Sequence, residues 1–351
     1  MEEEEGKRDA EMSNYIYGVI QAERGENFGS IGIGGGDEVY TVLHDSLAAV
    51  VSDSGLPALT SLAREEIVRY LFSHQSVIEK VMKEHTIIPL KFGTTASSVE
   101  ETKRILERGY PRFKDALKAM EGKVELDVVA TWNKDMVFKD ISQEEQIIKF
   151  KQELGSQPST EDKVKLGRMV EAHLSKRKEM LAPEIIGALA EVAQDFCLHD
   201  TLDATMLINT AFLIEKGKGE PFDQKLDEID KKYEGRINFR RVGPLPPYSF
   251  STAEVKKAEF AEIEKARNLL ALGEEATSSQ IKQAYWNLSS EYHPDKHPGD
   301  TEIQKRFEDI SKAYELLADY CQGENCSFRE KDVNDFIKVD IVRIGKLTDI
   351  S

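Results

Sequence analysis

Several side-chain spacings in this 351-residue chain could carry chemistry. Gly32-Ile33-Gly34-Gly35-Gly36 has the composition of a phosphate cradle. That chemistry needs a helix to start directly after the glycines, so that its free N–H groups face the phosphate. Instead Glu38-Val39-Tyr40-Thr41-Val42-Leu43 follows, a β-rich run, and the glycines read as a loop between strands. His293 and His297 stand four apart, a ligand spacing that works only within a helix, which Pro294 and Pro298 forbid. Cys321 and Cys326 lack the short Cys-x-x-Cys spacing and a second ligand pair, which argues against zinc. His74 and His85 have no catalytic or metal partner at a recognisable spacing and read as surface or helix-end residues. There remains His293-Pro294-Asp295, three turn-forming types whose meaning depends on the helices around them. None of these is a catalytic constellation, so the chain is expected not to be an enzyme and to need no cofactor and no metal.

Composition narrows the partners. With 40% hydrophobic and 32% charged residues the chain is an ordinary globular protein, long enough for two or three domains. A net charge of −17 argues against nucleic acid and anionic lipid, which need a local basic excess. No run approaches the ~18 apolar residues of a membrane span. The acidic lead-in of residues 1–12 is expected to be disordered, and it is the opposite of a secretory signal. Three cysteines (Cys197, Cys321, Cys326) are too few for a disulfide framework, which makes a reducing cytoplasm the expected location.

The elements follow from periodicity. Residues 15–20, 38–43, 47–52, 86–95 and 123–132 read as strands, with an amphipathic helix over 64–85 and another over 97–120. Ile67, Leu71, Ile78, Val81 and Met82 give the first helix its apolar face. Residues 143–154, 161–180 and 183–196 read as helices, the last opened by Pro183 in the position where proline is tolerated. A strand over 203–214, a helix over 221–233 and a strand over 235–242 complete the body. Three prolines then follow Gly243 and force an extended exit from that strand. The pattern predicts an α+β fold: two ferredoxin-like lobes with helices between them, the N-terminal lobe over 13–135 and a second lobe over 136–250.

Four segments carry a family resemblance, in order along residues 13–250. They are Tyr15-Ile16-Tyr17-Gly18, Ile88-Pro89-Leu90-Lys91-Phe92-Gly93-Thr94, Ile208-Asn209-Thr210-Ala211-Phe212-Leu213-Ile214, and Val242-Gly243-Pro244-Leu245-Pro246-Pro247-Tyr248-Ser249-Phe250. With them the chain resembles the GvpF/GvpL family of gas-vesicle proteins. Gly243, Pro244, Pro246, Pro247, Tyr248 and Phe250 are the most specific part of the match. The resemblance implies a non-enzymatic cytoplasmic factor that contacts the hydrophobic shell protein GvpA and other gas-vesicle accessory proteins.

Beyond this body, residues 251–266 are rich in lysine and glutamate and read as a linker helix. Thr277-Ser278-Ser279-Gln280 and Thr301-Glu302-Ile303-Gln304 each have capping-box spacing. Ile281, Tyr285 and Leu288 on the first helix face Phe307, Ile310, Tyr314 and Leu317 on the second, with Leu270 just upstream. This predicts a small all-α hairpin over 267–320 with His293-Pro294-Asp295 in its connection. In that frame the module resembles a J-domain, and the resemblance implies that His293, Pro294 and Asp295, flanked by Lys282 and Lys296, engage Hsp70. Two departures stand against it. The helix before the tripeptide has Lys282 against Glu291, with Trp286 and Glu291 at positions where J-domains commonly carry basic residues, and residues 267–320 hold 6 Lys/Arg against 10 Asp/Glu. The tail over 321–351 contains a β-rich run at 335–344 that either pairs with a strand of the body or stays unpaired.

Two functions remain in play. One is a gas-vesicle assembly factor that binds GvpA and recruits Hsp70 through the J-like module. The other is a minor structural gas-vesicle component whose helical module is only a protein-binding adaptor.

Overall fold

The computed structural model describes residues 13–53, 62–154, 158–297, 300–321 and 323–345. The acidic lead-in and Pro298 lie outside the described residues. The chain forms two compact units, Met1–Glu254 with Asp340–Ser351, and Val255–Val339.

The first unit contains two antiparallel sheets. One is built from β1 (Asn14–Gln21), β2 (Asn27–Ser30), β3 (Glu38–His44), β4 (Leu47–Asp53), β5 (Ile87–Pro89) and β6 (Thr95–Ala96), in the order β2-β3-β4-β1-β5, with β6 also on β1. β1 is buried along almost its whole length, which suits its run of Tyr, Ile and Val. Gly18 lets β5 approach: a Cβ there would stand 2.7 Å from the Ile87 side chain. α1 (Arg64–Val81) lays Val77, Ile78 and Val81 on this sheet, and α2 (Val99–Met120) packs across β1, β3 and β4. The glycine loop is an internal turn. Gly32 N and Gly34 N donate to Asp37, and Ile33 N donates to the Tyr17 hydroxyl, so these donors are already engaged.

His74 departs from the surface role expected of it. It is 2% exposed, its Nδ1 lies 2.9 Å from the Tyr15 hydroxyl, and its ring stacks on Tyr17. The signal was present in the helix spacing, since His74 lies one turn before the buried Ile78.

The second sheet has the order β10-β7-β9-β8, with β7 (Lys123–Trp132), β8 (Asp195–Leu198), β9 (Met206–Glu215) and β10 (Ile237–Leu245). β7, read with the N-terminal lobe, is therefore a central strand of the second sheet: alternation identifies a strand but not its partners. The helices are α3 (Lys134–Ser142), α4 (Glu145–Glu153), α5 (Thr160–Ala190) and α6 (Gly219–Tyr233). α5 absorbs the two helices expected on either side of Pro183. An internal proline costs about 3 kcal/mol, but Leu174, Ile185, Ile186 and Leu189 bury on the sheet on both sides of it, and that burial outweighs the break. Phe196, expected in a helix, belongs to β8.

The linker helix expected over 251–266 is instead β11 (Thr252–Lys257) followed by α7 (Phe260–Leu269). Its lysine-rich composition concealed Thr252 and Ala253, both buried. β11 pairs with β14 (Ile337–Val342), so the tail strand is paired.

The second unit holds α7, α8 (Ser278–Glu291), a 3-10 turn over Pro294–Lys296, α9 (Thr301–Tyr320) and α10 (Glu330–Asn334). It is not wholly helical, because β12 (Glu275–Thr277) pairs with β13 (Asn325–Ser327). Cys321 and Cys326 are joined as a disulfide where the chain leaves α9 for β13, a local crosslink that needs no wider framework. Cys197 is buried and free.

Burial lowers the His74 pKa to about 4 from 6.5, so the unfolded chain takes up this proton first as pH falls. His74 therefore contributes a loss of stability to the first unit as pH drops from about 6.5 towards 4, to be read as the difference between wild type and a variant that cannot charge. His74→Gln, polar but unable to charge, should show a shallower fall in a pH series of melting curves. Equal slopes would place the acid sensitivity elsewhere.

Candidate functional site

Two groups of residues were singled out by sequence, one in each unit. In the first unit, β10 contains a cis Gly243–Pro244 bond near its end, where its register on β7 shifts. Gly243 has φ +124°, and a Cβ there would stand 2.7 Å from the Glu125 carbonyl, so both conformation and space require glycine. Pro246 and Pro247 are buried, and Phe250 N and Ser251 N donate to the Pro247 carbonyl in a tight turn. Phe250 is buried with Cys197, Ala211 and Leu213. Tyr248 is half-buried and packs against the β1 cluster.

What holds the turn is Glu125, a residue the sequence reading passed over. It is 2% exposed, and it accepts from both Ser249 N and Ser249 Oγ at 2.8 Å. Burial, with the neighbouring Asp127 carboxyl, pushes its pKa up to about 8 against the pull of the Ser249 bonds. Burial raises the Asp127 carboxyl as well. Two adjoining buried carboxyl groups do not both ionise, so the pair retains a proton. His199 Nε2 lies 3.0 Å from Ser249 Oγ, which assembles a serine, a histidine and a carboxyl group. The order is wrong for nucleophilic catalysis. Ser249 Oγ donates to Glu125, so it accepts from His199, whose nitrogen then holds a proton and is no base. Arg343 closes the cluster: it pairs with Asp195 at 2.6 Å, its guanidinium lies 5.1 Å from the Phe250 ring centre, and Ile344 N donates to the Ser249 carbonyl. Glu125 was missed because Lys123–Trp132 alternates cleanly, and its charged positions read as a solvent face, whereas that face is partly covered and closes fully over Glu125.

In the second unit, capping sets the candidate loop. Thr277 and Gln280 form a capping box that starts α8, and Asp300 caps α9 by accepting from Glu302 N and Ile303 N. Leu270, Ile281, Ile310 and Leu317 are buried between the helices, with Leu288 packed against them. Tyr285 stacks on Tyr314 at 4.3 Å. Phe307, expected in this core, is only half-buried and instead supports His293 edge-on at 5.6 Å. The loop is tied back to α8 by its cations and rings: Lys296 Nζ donates to the Ser290 carbonyl at 2.6 Å, and His297 Nε2 lies 3.2 Å from the Glu291 carbonyl. His293 Nδ1 accepts from Asp295 N, so a nitrogen that caps the 3-10 turn holds the ring in place. Pro294 opens that turn. Asp295 projects outward, 89% exposed at its side chain. Lys282 is drawn over the Trp286 ring at 5.1 Å. The structure thus gathers His293, Pro294, Asp295 and Lys296 into one rigid exposed loop and leaves Lys282 on the preceding helix.

Comparison with known proteins adds identity to this geometry. A model described as gas vesicle synthesis protein GvpL/GvpF matches residues 13–252, and a DnaJ domain model matches residues 265–324. Gas vesicle protein F1 of Halobacterium salinarum is 25% identical over 239 residues, covering 67% of this chain and 91% of that protein. Gas vesicle protein F of a Nostoc species is 27% identical over 188 residues, covering 52% of this chain and 77% of its own. The chaperone protein DnaJ of Chlamydia felis is 43% identical over 65 residues, covering 18% of this chain and 17% of that protein. Among solved structures, the crystal structure of GvpF from an Anabaena species superposes with a TM-score of 0.57 at 24% identity, covering 68% of this chain and 97% of the other, and shares the fold.

A carboxyl group whose pKa is raised on folding loses stability for the protein as pH climbs from its ordinary value to its folded one. Between pH 6.5 and about 8, where His74 is already neutral, the first unit is expected to lose stability because Glu125 is forced to ionise. Glu125→Gln should flatten that limb in urea unfolding. A limb as steep as the wild type's would show that another group titrates.

Proposed function

The chain belongs to the gas vesicle synthesis protein GvpL/GvpF family, and on that premise we propose that it is a non-catalytic assembly factor that binds the shell protein GvpA and recruits Hsp70 through its second unit. The observation that carries the proposal is the exposed Asp295 on a loop braced at both sides, in a unit matched by the DnaJ domain model. A loop meant only to join two helices has no need of three separate tethers that leave one carboxylate pointing into water. The physical demand for such a factor is plain. Apolar subunits aggregate while they wait to be incorporated, and a holder coupled to an ATP-driven chaperone keeps them available. The body would hold the subunit and the J-like unit would bring the ATPase to it, in the cytoplasm beside the growing vesicle. No helix among the described residues is long and apolar enough to cross a membrane.

A second reading is favoured by the charges. α8 has Lys282 against Glu291, and Lys282 is occupied by Trp286 while Lys296 is occupied by Ser290. Steering of an acidic partner is correspondingly weak. In that case the chain is a minor structural component and the second unit an adaptor.

Single-turnover ATP hydrolysis by the host Hsp70 separates the two. Stimulation by the full chain and its loss in Asp295→Asn, with unchanged circular dichroism, is the expected result. No stimulation by the folded wild type would overturn Hsp70 recruitment and leave the adaptor.

A further inference from the structure

The first unit carries a groove that neither the Glu125 cluster nor its surroundings uses. It opens between the α3–α4 hairpin and the N-terminal half of α5, with a volume of about 410 Å³. Its base is aliphatic: Ile141 and Ile147 are buried, and Leu166 and Val170 are half-buried beside them. Phe138 forms a wall and leaves 45% of its surface in water. A large aromatic exposed at the edge of an apolar recess marks a surface that another molecule covers.

The charges around the groove name the chemistry of that molecule. Among the described residues the lining contains Lys151 and Lys163 and no carboxylate, in a chain whose net charge is −17. Among the described residues neither ammonium makes an ion pair or a hydrogen bond. Some other cations of this unit are paired, as Lys225 is with Glu191, Lys232 with Glu184 and Arg241 with Asp223. Two free cations at the lip of an apolar recess complement carboxylates that flank an apolar face.

The third observation is Gly167, which lies four residues after Lys163 and three before Val170 on α5 and so shares their face. Glycine inside a helix destabilises it relative to alanine. Nothing lies within 4 Å of where a Cβ would stand at this position. Packing within the chain therefore gives no reason for the glycine. Bare backbone here lets an incoming segment lie close against α5.

We propose that this groove receives an amphipathic segment of the shell subunit, aliphatic on the face that enters, acidic along its border, and seated against Gly167. The proposal rests on the preceding reading for the source of the segment. Buried apolar area at the base supplies the affinity, while the two lysines set the direction in which the segment lies.

The test uses the full chain with purified GvpA in detergent, and overlapping synthetic peptides of GvpA, as probes. Gly167→Ala disturbs no packing in the free chain but places a methyl group where the segment would seat, and should weaken binding, less than a larger side chain does. Gly167→Trp fills the recess from the same backbone position and should weaken binding by about tenfold or more. Lys151→Glu combined with Lys163→Glu should weaken it as well, and the double arginine variant should not. These lysines are exposed, so their variants remain informative should the tryptophan disturb α5. Wild-type binding that Gly167→Trp and the double glutamate variant leave intact would overturn the groove while the shell-binding reading stands. Absence of any binding by the folded wild type would overturn the shell-binding reading and the groove with it.

Discussion

The first unit depends on a carboxyl group removed from water. Glu125 sits on a central strand of the second sheet, buried beneath the turn at Ser249, where an unpaired acid would cost several kcal/mol. The cost is met by a shared proton with Asp127 and by two donors from Ser249. Those two bonds decide where the chain goes after β10. Without them the segment after Gly243 keeps the apolar burial of Phe250 but loses its two direct bonds to β7. With them, Pro246, Pro247 and Phe250 are drawn into the body, and the family's most specific sequence motif becomes a clamp. Removing one partner of such a buried pair costs about 1–3 kcal/mol, a large part of the margin by which a domain stays folded.

The second unit is organised on a different principle. Its core is ordinary aliphatic packing between capped helices, and its polar groups are spent at the surface. Lysine, histidine and backbone bonds fix the turn between α8 and α9, and the Asp295 carboxylate stays largely in water, 3.6 Å from His293 Nδ1. Preorganisation of this kind lowers the entropy lost when a partner arrives. It also explains why lysines near a tripeptide of this kind are poor evidence of a charged docking face. Lys296 is a tether and Lys282 a ring partner.

Much of this was legible in the residues. Strands β1, β3 and β4, the helices α1 and α2, the Thr277–Gln280 capping box and the hairpin around His293-Pro294-Asp295 follow from periodicity and turn chemistry, which are local; the box expected at Thr301–Gln304 is not formed, because Asp300 caps α9 instead. The larger failures are non-local. Pro183 reads as a helix start unless one knows that residues on both sides of it bury on the same sheet. Lys123–Trp132 announces a strand without announcing that its neighbours lie in β9 and β10. Thr252–Lys257 has the composition of an exposed helix and becomes a strand because β14, some eighty residues later, pairs with it. Glu125 and His74 share one cause: a polar residue in a regular pattern reads as solvent-facing until the opposing layer is known. In the candidate loop, the tripeptide was visible in the sequence, but the tethers were not, since Ser290 and Glu291 act through main-chain atoms that no residue type reveals.

The route of the chain through β11 and β14 has a consequence for how the protein is made. The body is discontinuous in sequence, with residues 13–254 on one side of the second unit and Asp340 onward on the other. Arg343 and Ile344, which close over Phe250 and Ser249, leave the ribosome only after the whole helical unit has been synthesised. At typical elongation rates of about 5–20 residues per second, the body waits several seconds with its clamp unlatched while the second unit is being made. The unit matched by the DnaJ domain model is thus finished before the body has all its contacts.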